Sequence, residues 1–416
     1  MRKKLFPLTL CISLIVLLAL AFETQAQQPG GKLTVGRLKI IPSLGLQGIY
    51  DDNIYLGNAS NNTTELKESD WITHVMPGVL FDYAMDGRGT VRLGYQGDLA
   101  YYSDTSNNDW KNHRGIFGLD YQAPSGLILG IDNTYMKAAD PYGSDNQYKL
   151  GVPQTKRWSD GVKTKAGWNF SDRFKVLGYY NYYKQDYKLE TDFSQDYDYN
   201  EVGLGAQMKV LPKTWAFVRY FYGARDYYSH PAGTGVTDAN DGDFDWHRGE
   251  AGLTWDTGAK LIGELNFGYQ WKSYDNTLDP RGLRYDGRDT WVAATRVNYT
   301  ATSTTTLTFS LIRAVRDTGS DSNEYYDDTG VGLGLTQILF TKFTLTTTAG
   351  YSKNEYNLPV VNAKDQDNYL FTIGLDYRVQ DWLTAGVGYT YTRKESNYET
   401  DEYKDNQFMV SLRAVY

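Results

Sequence analysis

The stretch Val91-Arg92-Leu93-Gly94-Tyr95-Gln96-Gly97-Asp98-Leu99-Ala100-Tyr101 decides the fold of this chain. Val91, Leu93, Tyr95, Leu99 and Tyr101 alternate with Arg92, Gln96 and Asp98. Successive strand residues point to opposite faces, so one face of this segment is apolar and the other wet. The same alternation recurs along the chain, in segments at 40–51, 71–84, 90–101, 111–122, 127–136, 158–170, 174–187, 198–210 and 215–225. It continues at 245–256, 261–273, 289–300, 305–315, 328–338, 343–353, 367–379, 383–393 and 404–416. The gaps alternate too. Tight turns such as Asp86-Gly87-Arg88-Gly89, Ala123-Pro124-Ser125-Gly126 and Leu211-Pro212-Lys213-Thr214 carry the residues turns require. Between them lie polar loops of roughly ten to twenty residues, rich in Asp, Asn and Tyr.

A soluble sandwich would mix its loop lengths and bury its apolar face. Short turns at one end and long loops at the other mark an outer-membrane barrel whose apolar face meets lipid. The expected fold is all-β: one transmembrane antiparallel up-and-down β-barrel of about 18 strands. Short turns are expected at the periplasmic end and long loops outside. Sixteen strands is the alternative, because the segments at 40–51 and 305–315 alternate least clearly. An even strand number with nine long and eight short connections puts both termini on the periplasmic side. A barrel of this size leaves an aqueous lumen.

The start of the chain reads as a cleaved export signal over 1–26. Arg2, Lys3 and Lys4 precede an apolar stretch from Leu8 to Phe22, and Thr24-Gln25-Ala26 offers small residues before a cut. That stretch is too short for a spanning helix. The sole cysteine, Cys11, lies inside it, so the mature chain is expected to contain no disulfide. A short polar lead over 27–37 precedes the barrel domain at 38–416. The expected address is the bacterial outer membrane.

Mean hydropathy is −0.53, a value typical of soluble proteins. A barrel accounts for it, since only alternate strand residues touch lipid. The 36 tyrosines and 10 tryptophans fit the same account, because amphipathic rings favour membrane–water interfaces. Tyr83, Tyr121, Trp168, Trp255, Tyr299 and Tyr377 fall near the short turns; Tyr50, Trp71, Tyr101, Trp271 and Trp291 fall near the long loops. In the last strand Phe408, Val410, Leu412, Ala414 and Tyr416 share one face. The chain stops on the aromatic, a pattern resembling the signal that the barrel-assembly machinery reads, with Phe408 and Tyr416 its candidate residues.

With the apolar face toward lipid, the other face lines the lumen. Candidate lining cations are Arg92, Arg114, Lys163, Lys165, Lys209, Arg248, Lys272, Arg296 and Arg378, with Lys175 and Arg413. Their acidic counterparts are Asp82, Asp98, Asp120, Asp132, Glu201, Glu250, Glu264 and Asp376. The whole chain is net −8 and the signal +2, so the excess acid is expected in the outer loops, at Asp51-Asp52, Asp238 to Asp245 and Asp321 to Asp328. One reading is a mildly basic lumen favouring anionic solutes. The other is that opposite charges pair on neighbouring strands. A one-residue slip reverses any strand.

Strand 215–225 is ambiguous, with Trp215, Phe217, Arg219 and Phe221 on one face and Ala216, Val218, Tyr220 and Tyr222 on the other. Facing in, Trp215, Phe217 and Phe221 are candidate stacking platforms for sugar rings. Facing out, they are girdle and packing residues. Paired inward glycines (Gly203/Gly205, Gly332/Gly334, Gly386/Gly388) leave space or fit around large neighbours. A loop at 136–157 or 226–244 folded inward would narrow the pore.

Catalysis finds no support. The four histidines, His74, His113, His230 and His247, form no H-E-x-x-H, and no G-x-S-x-G occurs. The Asp238-Ala239-Asn240-Asp241-Gly242-Asp243 run departs from a calcium loop in the position of its glycine and lacks the closing glutamate. No metal and no cofactor are expected. No basic patch supports nucleic-acid binding.

The first barrel segment reads Pro42-Ser43-Leu44-Gly45-Leu46-Gln47-Gly48-Ile49-Tyr50-Asp51-Asp52-Asn53-Ile54-Tyr55. This opening resembles the Putative beta-barrel porin 2 family, and the length, tyrosine content and terminal aromatic agree along the chain. Members of that family are often linked to exopolysaccharide secretion. The resemblance therefore implies a porin-like channel serving as a conduit or accessory barrel in polysaccharide export. A general diffusion porin for small, anionic solutes and a non-conducting docking barrel stand as alternatives. The implied partners are outer-membrane lipid and lipopolysaccharide, the barrel-assembly machinery, a periplasmic polysaccharide-export protein, and the polysaccharide or small solute itself. The Asp51-Asp52-Asn53 run reads as a strand exit whose side chains bind backbone N–H groups of the first long loop.

Overall fold

The structure is a computed structural model that describes residues 33–58, 67–141, 154–188, 195–230, 233–255, 258, 260–317, 325–357 and 364–416. The export signal expected over 1–26, with Cys11, lies outside the described residues. The first strands are β1 (Leu33–Val35), β2 (Leu38–Asp51), β3 (Asp70–Ala84), β4 (Gly89–Tyr102) and β5 (Trp110–Gln122). Next come β6 (Leu127–Pro141), β7 (Gln154–Ser171), β8 (Phe174–Tyr187), β9 (Tyr197–Leu211) and β10 (Thr214–Tyr227). The second half holds β11 (Phe244–Trp255), β12 (Leu261–Tyr274), β13 (Arg288–Thr302), β14 (Thr305–Asp317) and β15 (Tyr325–Leu339). The chain ends with β16 (Phe343–Tyr356), β17 (Asp365–Gln380), β18 (Leu383–Ser396) and β19 (Tyr403–Val415).

From β2 onward each strand pairs antiparallel with the next, and β19 pairs back onto β2, with Leu412 opposite Leu46. The result is a closed barrel of 18 strands, with β1 as one extra short strand. Closure leaves no edge, the only way a sheet can satisfy its backbone in lipid. The doubtful segments at 40–51 and 305–315 are both full strands, so the 16-strand alternative falls. No helix among the described residues is long and apolar enough to cross a membrane.

Two expectations need correction. Several outer connections are shorter than ten residues, such as 103–109 and 397–402, because the strands run further than their alternation does. β15 starts at Tyr325 rather than near 328, and β7 at Gln154 rather than near 158. Beyond the girdle both faces of a strand are wet, so the period-2 signal fades although pairing continues. For the same reason part of the acid assigned to loops sits on strand ends. Asp51, Asp327 and Asp328 are buried there, not solvated. Residues 321–324 of the third acidic run lie outside the described residues.

Pairing sets Tyr50 opposite Trp71, and both are exposed on the outer surface, as are Tyr101, Trp271 and Trp291. At the other end Tyr83, Trp168, Tyr299 and Tyr377 are exposed on the same face, whereas Tyr121 and Trp255 are half-buried. Asp86 and Gly87, both at positive φ (48° and 70°), close the β3–β4 hairpin, with Met85 N–H donating to Gly89 O at 2.9 Å. At the base of the barrel the chain reverses at Gly36 (φ 61°), and β1, within the stretch read as a short polar lead, pairs with the start of β2.

Candidate functional site: the inward wall and outer mouth

Counting alternate residues from the exposed girdle aromatics assigns the inward face of each strand. Arg92, Arg114, Lys163, Lys165, Lys209, Arg248, Lys272, Arg296 and Arg378 all stand on it, with Lys175 and Arg413. So do the eight acidic candidates. The register sets many of them directly opposite one another: Arg92 with Asp82, Lys163 with Asp132, and Arg296 with Glu264. Phe408 and Tyr416 stand on the outer face, both exposed, and the Phe408 ring lies 4.9 Å from that of Tyr389.

The ambiguous strand β10 turns Trp215, Phe217 and Phe221 inward, at 8%, 3% and 5% exposure, and Val218, Tyr220 and Tyr222 outward. Each inward ring is covered by a cation. Lys175 Nζ lies 4.0 Å from the Trp215 ring centroid, Arg219 Cζ 3.7 Å from Phe217, and Arg248 Cζ 5.1 Å from Phe221. The pattern continues outward, with Arg225 over Tyr197 at 4.0 Å and Lys272 over Phe244 at 3.7 Å. Such contacts contribute about 0.5–2 kcal/mol each when desolvated.

Several of these cations are held by carboxylates on their own strand or on others. Arg219 meets Glu264 at 2.5 Å, and Arg248 meets Glu250 at 2.5 Å and Glu201 at 3.3 Å. Glu201 also accepts from Tyr199 Oη (2.9 Å) and from Asn181 Nδ2. Nearer the mouth, Asp317 of β14 holds Arg225 of β10 at 2.7 Å and pairs with Lys272 of β12. A contact that skips three strands closes across the concave side of the sheet.

Glycines make these reaches possible. A Cβ on Gly203 would lie 2.3 Å from the Phe221 ring, and one on Gly223 would lie 2.5 Å from the Trp246 ring. The rings are seated over the neighbouring strand where it carries no side chain. Lys165 of β7 likewise lies across Gly130 of β6 to reach Asp120 of β5 at 3.1 Å.

The wall of β14–β18, separated from β12 by β13 alone, is built differently. Its inward positions include Ser310 and Thr308 on β14, Gly332 and Gly334 on β15, and Thr348 and Ser352 on β16. Thr372 and Gly374 on β17 and Gly386, Gly388 and Thr390 on β18 complete it.

The outer mouth is partly covered. Of the two loops expected to fold inward, residues 142–153 lie outside the described residues. In the second, Asp241 accepts from Asn276 Nδ2 (2.8 Å), tying 233–243 to the β12–β13 loop, where Tyr285 stacks on inward Tyr274 at 4.6 Å. A third segment, unforeseen in that role, also turns in. Ile54 packs on inward Ile72, Ala100 and Trp110. Its root is the Asp51-Asp52-Asn53 run. Asp51 Oδ1 accepts from Asn53 N–H (2.7 Å), and Asn53 Oδ1 from Gly57 N–H (2.9 Å). Asn53 Nδ2 donates to Lys404 O (2.8 Å), and Asp52 accepts from Asn406 N–H (2.8 Å). The run binds loop N–H groups as anticipated, and it also staples β2 to β19.

The histidines are scattered. His74 is inward beside Asp98 (2.9 Å), His113 and His247 face outward onto Tyr95 and Tyr220, and His230 lies in a loop between Asp238 and Asp241.

A closed 18-strand barrel with an apolar outer belt, two aromatic girdles and a charged interior is a porin-type outer-membrane protein. The family model of Putative beta-barrel porin 2 matches residues 27–416, so the chain belongs to that family. No curated protein matches the chain. Among solved structures, Pseudomonas aeruginosa OpdO is 10% identical, with 90% of this chain and 97% of that one covered and a TM-score of 0.48. OccK2 (OpdF) from the same organism, in complex with glucuronate, is 11% identical, with 90% and 98% covered and a TM-score of 0.46. A bacterial polysaccharide outer membrane secretin is 8% identical, with 92% and 100% covered and a TM-score of 0.35.

Proposed function

We propose that this barrel conducts hydroxyl-rich, carbohydrate-class solutes and, in its most specific form, passes a polysaccharide chain out of the cell. The observation that carries the reading is the inward wall of β8–β12, where arginines and lysines lie between aromatic rings and carboxylates. Replacing a buried ion network by apolar residues of equal volume is often neutral or stabilising, so folding alone does not demand one here. Paired charges offer donors and acceptors to hydroxyl groups without a net charge that traps ions. The flat faces of Trp215, Phe217 and Phe221 become stacking surfaces when their covering cations swing aside. Arg92, Arg114 and Lys163, exposed on the inward face, would line the path below them.

On this reading an outer-membrane assembly factor recognises the terminal strand through Phe408 and Tyr416. A periplasmic export protein delivers the chain, and an export signal over 1–26 directs the protein. The small-solute porin is the second reading, favoured by the segments at 52–58 and 275–287 that turn over the mouth.

The test is single-channel conductance of the folded protein in planar bilayers, with reversal potential under a salt gradient. We expect weak ion selectivity and transient block by oligosaccharides. Open steps that no oligosaccharide interrupts would leave the small-solute porin. Silence from folded barrel would favour a docking role.

A further inference from the structure

We propose that the lipid-facing side of β5–β7, at the outer girdle, seats a phosphorylated glycolipid of the outer leaflet. Lysines hold its phosphate, and a gap in the apolar belt takes an acyl chain. Lys111 of β5, Lys137 of β6 and Lys156 of β7 are all exposed. The register turns each of them outward: Lys111 lies opposite Leu99, Lys137 opposite Trp158, and Lys156 opposite Ala139. Lys137 also faces His113 of β5, so it stands diagonal to Lys111 on one side and to Lys156 on the other. Diagonal neighbours in a sheet are about 7–8 Å apart, within reach of long side chains. Trp158 stacks on Tyr135 at 6.4 Å, and these girdle rings set the cluster at the membrane–water interface.

The three charges are unclaimed. Among the described residues none of these ammonium groups has an ion-pair, hydrogen-bond or ring partner. Other outward lysines are occupied: Lys353 pairs with Glu355 at 2.8 Å, and Lys184 lies 4.0 Å over the Tyr228 ring. Asp160, the next outward residue after Trp158 on β7, accepts from Asn133 Nδ2 at 2.6 Å.

The second observation is the gap. Gly115, the next outward residue after His113, lies between Tyr95 of β4 and Tyr135 of β6. A Cβ placed on Gly115 would meet no atom within 4 Å. Tyr95 Oη is drawn to His113 Nδ1 at 2.7 Å, and Tyr135 to Trp158, so both flanking rings leave that space open. Exposed Phe117 continues the same face deeper into the belt.

The pairing of features names the ligand. Lysines at the interface attract any anion, but open space at acyl depth directly beneath them selects an anion that carries hydrocarbon. In the outer leaflet that description fits the phosphorylated lipid anchor of lipopolysaccharide. The neighbouring sector has the opposite charge. At the same end of β9–β11 the outward residues include Asp198 opposite Asp226, and Asp245, which accepts from Tyr222 Oη at 2.8 Å. Phosphates are drawn to one sector and repelled from the next.

The experiment titrates diphosphoryl lipid A and its dephosphorylated form into the full-length folded barrel in detergent, read by native mass spectrometry. Wild type is compared with Lys353→Ala, with Gly115→Leu and with a triple variant carrying Lys111→Ala, Lys137→Ala and Lys156→Ala. Each basic residue at a membrane surface contributes about fivefold in affinity for anionic lipid, so the triple variant should bind diphosphoryl lipid A about a hundredfold more weakly. We expect Lys353→Ala to bind as wild type does, and wild type to prefer the diphosphoryl form. Gly115→Leu should bind both forms more weakly while keeping that preference. Unchanged binding by the triple variant, equal binding of the two forms by wild type, or a loss in Lys353→Ala as large as in the triple variant overturns the proposal. So does wild-type affinity in Gly115→Leu, which would leave the lysines a diffuse charge with no seat beneath them.

Discussion

Two nearby stretches of the inner wall, β8–β12 and β14–β18, answer the same demand in opposite ways. On β8–β12 the inward face is bulky and ionic, with Phe217, Arg219, Phe221, Arg248 and Trp246 packed to low exposure over seats made by glycines. On β14–β18 its middle is small and hydroxylated, with Ser310, Thr348, Thr372, Gly374 and Thr390, and Asp376 and Arg378 stand nearer the short turns. Both walls carry a greasy outer face of similar kind, so lipid does not impose the difference. The contrast puts charged and aromatic side chains on one side and small ones on the other.

Removing the anion that ties the bulky wall together should have the largest effect. Asp317 is the carboxylate shared by Arg225 and Lys272, whose side chains are 18% and 2% exposed. Asp317→Asn removes the carboxylate that the two cations share, and breaking a buried pair costs about 3–5 kcal/mol. Urea unfolding of the barrel in detergent should register that loss, and the reversal potential should move toward anions. A neutral outcome in both would mean that solvent reaches this network and that the two walls do not differ in kind.

A smaller effect separates the glycines. Gly203→Ala drives a methyl group into the Phe221 ring, and such overpacking costs about 1–3 kcal/mol. Gly374→Ala meets only Val387 O, at 3.8 Å, and should be tolerated with little change. Equal destabilisation of the two variants would erase the distinction between a glycine that seats a ring and one that leaves space.

Much of this was legible in the sequence, for a physical reason. The period-2 alternation of segments such as Val91 to Tyr101 is enforced by lipid on one side and water on the other, so strand count and inward face could be read directly. Where that contrast weakens, the reading weakens with it. β10 is apolar on both faces, so the inward place of Arg219 and Phe221 emerges only from the register with β9 and β11. Asp317 lies two residues beyond the end assigned to its strand, where both faces are polar, and its partners are far away in sequence. The Asp51-Asp52-Asn53 run was visible as a motif. Its role in the seam depends on Lys404, Asn406 and Gln407, which only closure brings near.

The mouth extends the contrast between the walls. Above the small wall charge is matched, with Lys364 on Asp401 and Gln366 Nε2 donating to the same carboxylate at 3.2 Å. Above the bulky wall carboxylates crowd together. Partial burial, with the like charges of Asp241, Asp226 and Asp275, pushes the Asp243 carboxyl up to about 6, although it accepts from Tyr227 N–H at 2.6 Å. A raised carboxyl means that the folded loop binds its proton more tightly than the unfolded chain does. Folding of this loop is therefore penalised above pH 6, and the penalty is relieved as pH falls through about 6 toward the ordinary carboxylate range. Hydrogen exchange over 233–243 should slow between pH 7 and pH 5 beyond the intrinsic change in rate, while residues 397–402 above the small wall should show no such excess. Asp243→Asn should make the slow state persist at pH 7. An excess of equal size at both places would trace the effect to the whole rim and remove this last difference between the walls.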